Sequence, residues 1–292
     1  MRLPAIRSFH RFVMRERILE LGQRTRIMGI LNVTPDSFYD GGRYADPSMA
    51  LDQALCMVQQ GVDLIDVGGE STRPGSMQVD DQEEMRRVLP IIERLCESCP
   101  VPISIDTSKA QVAEEALKAG AVLVNDVTGL TGDEHMLDVV LSRDAGLCIM
   151  HIQGRPRTMQ ENPCYGDVFQ EVQQFLLSQA KTAVERGLPE DHILLDPGIG
   201  FGKTLEHNLT LMARCGELGE GRFPVLIGPS RKSFIGVLLD LPVEQRLEGT
   251  LGAVVASAAR GAHLVRVHDV QAARQALDVA DSILGCAMET GG

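Results

Sequence analysis

Three apolar runs in this chain close on residues suited to grasping a flat heterocycle. ISID ends in Asp106, ILLD ends in Asp196, and LVND carries Asn125. A carboxylate or amide at such a place can pair in two places with a ring that bears adjacent N–H donors. Asp106 also opens Asp106-Thr107-Ser108, which taken alone could equally cap a helix. The three together, with Lys232, favour recognition. Arg266 and His268 lie two residues apart, so on an extended strand they face the same side. A guanidinium beside an imidazole suits a diphosphate. The alternative for His268 is a helix-start residue next to Asp269.

Two glycine-rich stretches flank these residues. Asp196-Pro-Gly-Ile-Gly-Phe-Gly-Lys-Thr204 resembles a phosphate loop but has Pro197 where the first glycine is needed, and Lys203 where a dinucleotide fingerprint needs its third. It reads as a turn that lets backbone approach a ligand, with Phe201 either covering the ligand face or packing beneath the loop. Gly68-Gly-Glu-Ser-Thr-Arg-Pro-Gly75 sets Arg73 between Thr72 and Pro74, where a guanidinium can meet an anion or carboxylate. The segment Asn32 to Gly42 holds Asn32, Asp36, Phe38 and Asp40. Such oxygen donors suit a partly hydrated Mg²⁺ shared with a substrate phosphate, although Asp and Asn are also common in turns.

The elements that must bring these residues together repeat along the chain. Eight short apolar runs, at 27–35, 62–72, 101–109, 121–129, 147–154, 193–203, 225–233 and 264–270, each end in a polar or glycine turn before a helix-like stretch. They are nearly continuous in Val, Ile and Leu, as parallel strands buried on both faces are. An open doubly wound sheet shares this alternation, but eight units with a polar residue at each strand end favour a single (β/α)₈ TIM barrel. Strand C-terminal ends then meet at one mouth. Asn32, Asp66, Asp106, Asn125, His151, Asp196, Lys232, Arg266 and His268 are expected around one cavity there. Helices are expected from Asp46-Pro47 to Gly61, from Ser108 to Gly120, over 167–186 and through 272–283. Pro90 predicts a kink or two short helices after Asp80. Residues 1–25 form an N-terminal extension, with Gly22 between two apolar stretches, that reads as a hairpin across the barrel floor. The barrel is expected over 26–287, with 288–292 as a tail.

The chain's 292 residues exceed the roughly 250 of a typical barrel. No apolar run approaches a membrane span. The Arg-rich start lacks an apolar signal core, so a surface extension is expected there rather than a secretory or transit peptide. Seven cysteines, an odd number, point to reduced thiols in a cytoplasm, and Cys96-x-x-Cys99 has no second pair to make a zinc site. A net charge of −12, no basic block, three Tyr and no Trp argue against a nucleic-acid partner. Local cations, namely Arg73, Lys203, Lys232 and Arg266, remain available for an anionic small substrate.

Over residues 26–285 the chain closely resembles the dihydropteroate synthase family of pterin-binding enzymes. The likeness rests on GILNVTPDSFYDGG (29–42), DVGGESTRPG (66–75), SIDTSK (104–109), NDVTG (125–129), MHIQG (150–154), DPGIGFGKT (196–204), SRKSFIG (230–236) and RVHDV (266–270), in family order. The resemblance implies a (β/α)₈ barrel and the joining of 4-aminobenzoate to a dihydropterin-CH₂ diphosphate. It implies that Asp106, Asn125, Asp196 and Lys232 hold the pterin edge, with Met150 and Arg266 on its faces. Asn32, Arg266 and His268 would grip the diphosphate, and Asn32 would also contact Mg²⁺. Thr72, Arg73, Pro74 and Ser230 would line the 4-aminobenzoate site, enclosed by Phe38 and Phe201. Asn32, Arg73, Lys232, Arg266 and His268 are therefore the expected catalytic set. A homodimer is implied, with helix faces over 247–259 as one candidate surface. A methyltransferase serving a corrinoid protein could share the pterin-edge residues but would not need the Ser-Thr-Arg-Pro loop. A silent pterin-binding paralogue should have lost loop residues that are all present.

Overall fold

The computed structural model describes residues 7–33, 47–70, 79–154 and 158–289. A hairpin of β1 (His10–Met14) and β2 (Arg17–Leu21) leads into β3 (Arg26–Asn32). The repeat of strand and helix then runs α1 (Pro47–Gln59), β4 (Leu64–Gly68), α2 (Asp81–Ser98), β5 (Ile103–Asp106), α3 (Ala110–Lys118), β6 (Leu123–Asp126), α4 (Met136–Ser142) and β7 (Gly146–Met150). It continues through α5 (Val168–Glu185), β8 (Ile193–Asp196), α6 (Leu205–Ala213), β9 (Leu226–Ile227), α7 (Ser233–Leu239), α8 (Leu247–Ala259), β10 (Leu264–Val267) and α9 (Val270–Glu289). The eight strands from β3 onward are parallel, in the order β8-β7-β6-β5-β4-β3-β10-β9. A parallel bridge between Leu195 and Val225 joins the two ends, and the Leu195 N–H donates to the Pro224 carbonyl at 3.0 Å. The expected barrel is therefore present.

Alternation along each strand explains both the floor and the mouth, because inward-facing residues recur every second position. At the strand starts the inward residues are Met28, Leu64, Leu123, Cys148, Leu194, Leu226 and Leu264, and they form one buried cluster with Phe12, Met14 and Leu21 of the hairpin. The hairpin thus closes the floor, as its sequence suggested. Gly146 makes room for it: a Cβ there would lie 2.7 Å from Met14 Cγ. Phe12 is fully buried in this cluster. Phe12→Ala should lower stability by about 3–5 kcal/mol in urea denaturation. A loss below about 1 kcal/mol, the range of a surface change, would show that the hairpin does not plug the floor.

Of the two alternatives for the stretch after Asp80, two short helices are excluded. A single helix, α2, runs through Pro90, with neither a break nor a second helix. Its apolar stripe (Met85, Val88, Ile91, Ile92, Leu95) is buried against the barrel, and that burial outweighs the roughly 3 kcal/mol cost of an internal proline. Pro90 itself sits on the exposed face, where helical carbonyls tilt outward and a missing N–H is least costly. Asp80 caps this helix by accepting from the Glu83 N–H at 2.8 Å.

Candidate active site

At the mouth the same alternation turns polar. Asn32 pairs with Gly68, Gly68 with Asp106, and Asp106 with Asn125 across neighbouring strands, while Met150 pairs with Asp196. Asp106, Asn125, Met150, Asp196, Phe201, Lys232 and Arg266 line one hollow, together with Val127, Ile199 and Gly228. Residues separated by up to 160 positions therefore converge as the barrel reading required.

A buried ionic network forms the back of the hollow. By strand pairing Arg266 stands opposite Met28, four positions before Asn32, whose row leads through Gly68 to Asp106, and its long side chain climbs to the carboxylates. Its Nε donates to Asp66 Oδ2 at 2.7 Å, and its Nη2 donates to Asp106 Oδ2 at 2.6 Å. Asn125 Nδ2 donates to the same Asp66 oxygen at 2.9 Å. That bond fixes the amide's orientation and leaves Asn125 Oδ1 buried without a partner. The hollow is thus offered an acceptor at Asn125. Asp106 does not cap α3, since Asp133 accepts from the Ala110 N–H at 2.8 Å; its carboxylate belongs to the network.

Burial sets the charges here. It raises the Asp106 carboxyl against the pull of Arg266, with neighbouring Asp66 adding to the rise. Burial also raises Asp196 to about 6, opposed by the Gly198 N–H, Lys232, Arg266 and Lys203. Asp196 Oδ1 accepts that N–H at 2.7 Å. Lys232 is lowered to about 8, chiefly by burial and then by Arg266, while Asp196 and Asp106 pull it back up. Its Nζ stands 4.0 Å from the centre of the Phe201 ring, a cation–π contact. Phe201 also packs with Val127, Met150 and Met159, so it is buried under its loop and at the same time faces the hollow.

Ser230 and His268 meet beside this network. The His268 N–H donates to Ser230 Oγ at 3.2 Å, and Ser230 Oγ lies 2.9 Å from His268 Nδ1. The turn carrying Ser230 and Lys232 is braced from outside by Arg231, whose guanidinium grips Asp269 at 2.9 and 2.7 Å. Arg231 is itself left-handed, at φ 54°, a strained backbone that such bracing supports. Asn32 ends β3 at the same mouth. Phe38, Thr72, Arg73 and Pro74 lie outside the described residues.

Two expectations change. His151 and Lys203 do not line the hollow; their side chains meet each other beneath the glycine loop, with Lys203 Nζ donating to His151 Nδ1 at 3.0 Å. Lys203 is therefore not a cation offered to substrate. Conversely, Asp66 holds the network together, although its sequence position suggested only that it faced the cavity. The signal was its place two residues before Gly68 on an alternating strand. What it joins could be seen only across the barrel.

The pterin binding enzyme family matches this chain over residues 28–268. A dihydropteroate synthase of Synechocystis sp. is 48% identical over 267 residues, covering 91% of this chain and 92% of that protein. The solved structure of Yersinia pestis dihydropteroate synthase in a sulfonamide drug complex superposes with a TM-score of 0.88 at 41% identity, covering 94% of this chain and 99% of that one. That of Xanthomonas albilineans dihydropteroate synthase with 4-aminobenzoic acid gives a TM-score of 0.88 at 42% identity, covering 94% and 98%.

Proposed function

This chain belongs to the dihydropteroate synthase family, and on that premise we propose how its residues divide the work of joining a dihydropterin-CH₂ diphosphate to 4-aminobenzoate. The activity is the family's: a transferase that yields 7,8-dihydropteroate and diphosphate. The observation that carries the assignment to this site is the convergence of Asp106, Asn125, Asp196, Lys232 and Arg266 on one hollow.

Asp196, Asp106 and the partnerless Asn125 carbonyl accept the ring's N–H donors, and Lys232 donates to its oxygen or nitrogen acceptors. Met150 and Arg266 cover the faces. Asn32, Arg266 and His268 hold the diphosphate, where negative charge grows as the C–O bond breaks and its electron pair leaves with the phosphate. The amine of 4-aminobenzoate, already neutral at pH 7, then forms the C–N bond from its lone pair and sheds a proton to water. Thr72, Arg73, Pro74, Ser230, Phe38 and Phe201 are assigned to the 4-aminobenzoate half.

Mg²⁺ fits this mouth in one respect. Asn32 supplies a single hard oxygen, which suits an ion that keeps waters and takes its remaining ligands from substrate phosphate. Among the described residues no cluster of three His, Cys, Asp or Glu could cage a metal. When bound, Mg²⁺ would neutralise the departing diphosphate.

Diphosphate release in the presence of both substrates tests this reading. We expect release that requires 4-aminobenzoate, that a sulfonamide blocks, and that falls on chelation of Mg²⁺. Folded protein that releases none would refute the assignment, and undiminished release in EDTA would refute the metal. The described cysteines are free thiols, in keeping with a reducing cytoplasm. No helix among the described residues is long and apolar enough to cross a membrane. Val237, Leu238 and Leu239 on α7 and Val279 and Ile283 on α9 are exposed on either side of α8. They support a homodimer through this face. A monomer mass in sedimentation would exclude it.

A further inference from the structure

The loop Pro197–Thr204 carries Phe201 into the hollow, yet the residue that anchors it points the other way. Lys203 is 3% exposed. Its Nζ donates to the Phe201 carbonyl at 2.9 Å, to the His151 carbonyl at 3.3 Å and to His151 Nδ1 at 3.0 Å. An ammonium has three protons and no acceptor, so these three bonds satisfy it completely. We propose that Lys203 and His151 are a positioning pair: the buried ammonium, received by an unprotonated imidazole, clamps the glycine loop so that Phe201 stands as a fixed wall for 4-aminobenzoate. This rests on the family reading for the identity of that substrate.

The loop's underside is built to lie flat. A Cβ on Gly198 would come within 2.0 Å of the His151 carbonyl oxygen, and one on Gly202 within 2.4 Å of the Gln153 carbonyl oxygen. Only glycines allow this approach. Around the clamp, Tyr165 donates its hydroxyl proton to the Gly202 carbonyl at 2.8 Å, and Asn208 Oδ1 accepts the Gly200 N–H at 2.8 Å. The His151 ring is held edge-on to Phe175 with centroids 5.0 Å apart. Burial, then the charge on Lys203, lowers His151 to about 3, so its Nδ1 lone pair stays available; burial also lowers Lys203 to about 7 against the pull of Asp196, so the clamp carries its full three protons on the acid side of neutrality.

The clamp acts on one half of the site. Asp106 and Asn125 sit on strands, and Asp196 ends β8, so the barrel itself holds the pterin acceptors. Phe201 sits on the loop, three bonds of which run through Lys203. Releasing Lys203 should therefore disturb the wall more than the pterin edge.

Steady-state kinetics of the full chain test this. Lys203→Met should raise the KM for 4-aminobenzoate about tenfold, the loss expected for a hydrogen-bonded charge, while the KM for the pterin diphosphate stays within about twofold. Two unchanged KM values, or two that rise together, would overturn the proposal. If Lys203→Met does not fold, His151 decides. His151→Gln, which retains an oxygen acceptor, should keep the 4-aminobenzoate KM near that of the unaltered protein, whereas His151→Leu should raise it. Equal behaviour of the two variants would overturn the pair. An unaltered protein that releases no diphosphate would instead refute the family reading.

Discussion

Asp196→Ala should abolish measurable binding of the pterin diphosphate in calorimetry. Asp196 is buried at the end of β8, and one of its oxygens is already committed to the Gly198 N–H. Its other oxygen is the acceptor left for ligand. Without it, ring N–H donors enter a water-poor hollow and find no partner, which costs about 3 kcal/mol or more than a hundredfold in affinity. Loss of the Gly198 bond adds to this by loosening the loop. Unchanged affinity would remove Asp196 from the site. The same carboxylate sets a pH dependence with two opposite signs. Burial raises it from 3.8 in the unfolded chain to about 6 in the ligand-free fold. The folded state thus holds this proton more tightly, so the group's contribution to stability falls as pH rises between those values. Ligand binding runs the other way, because only the ionised carboxylate accepts both donors. Affinity should be full above pH 6 and fall as the pH drops through it. Asp196→Asn should flatten both trends, seen by denaturation and by calorimetry across that range.

What could be read in advance, and what could not, follows the range of the interactions. The eight strands were legible because continuous Val/Ile/Leu runs and the turns after them are local properties. The polar mouth was legible because each strand's end residue is visible in sequence, and a barrel gathers those ends. Even β9, reduced to Leu226–Ile227, was found from the run around it. The continuous α2 was not, since Pro90 is a local signal and the burial that overrides it comes from the barrel wall. The roles of Asp66 and of the His151–Lys203 pair were also hidden. Asp66 and Arg266 are 200 residues apart. No spacing rule says which of several inward carboxylates a climbing arginine will reach. Likewise, Lys203 and His151 each sit at a strand-end motif, where an outward cation and a cavity imidazole are the natural expectation. Only the fold of the glycine loop turns them to face one another.

Arg266 provides the sharpest test of how stability and catalysis are coupled in this site. Arg266→Met removes the guanidinium that, among the described residues, is bonded to both Asp66 and Asp106. Asp66 is fully buried and Asp106 nearly so. Two carboxylates would then face each other in the interior, with Asn125 as Asp66's remaining donor among the described residues. Breaking a buried pair in this way costs about 3–5 kcal/mol. Burial already raises Asp106, and the loss of Arg266 raises it further. The variant's fold therefore binds protons that its unfolded chain does not, and its stability falls as pH rises. The deficit should be large at neutral pH in urea denaturation and should shrink as the pH is lowered. A deficit below about 1 kcal/mol, or one that grows on acidification, would contradict the network. Adding Asp66→Asn to Arg266→Met removes one of the two uncompensated carboxylates and their mutual repulsion, so the pair should be more stable than Arg266→Met alone, a non-additive result. Turnover should not return with stability. On the proposed division of roles, the diphosphate would still lack a guanidinium where charge develops. Recovery of stability without recovery of diphosphate release separates the two duties of this arginine; joint recovery would mean that its only contribution is to neutralise Asp66 and Asp106.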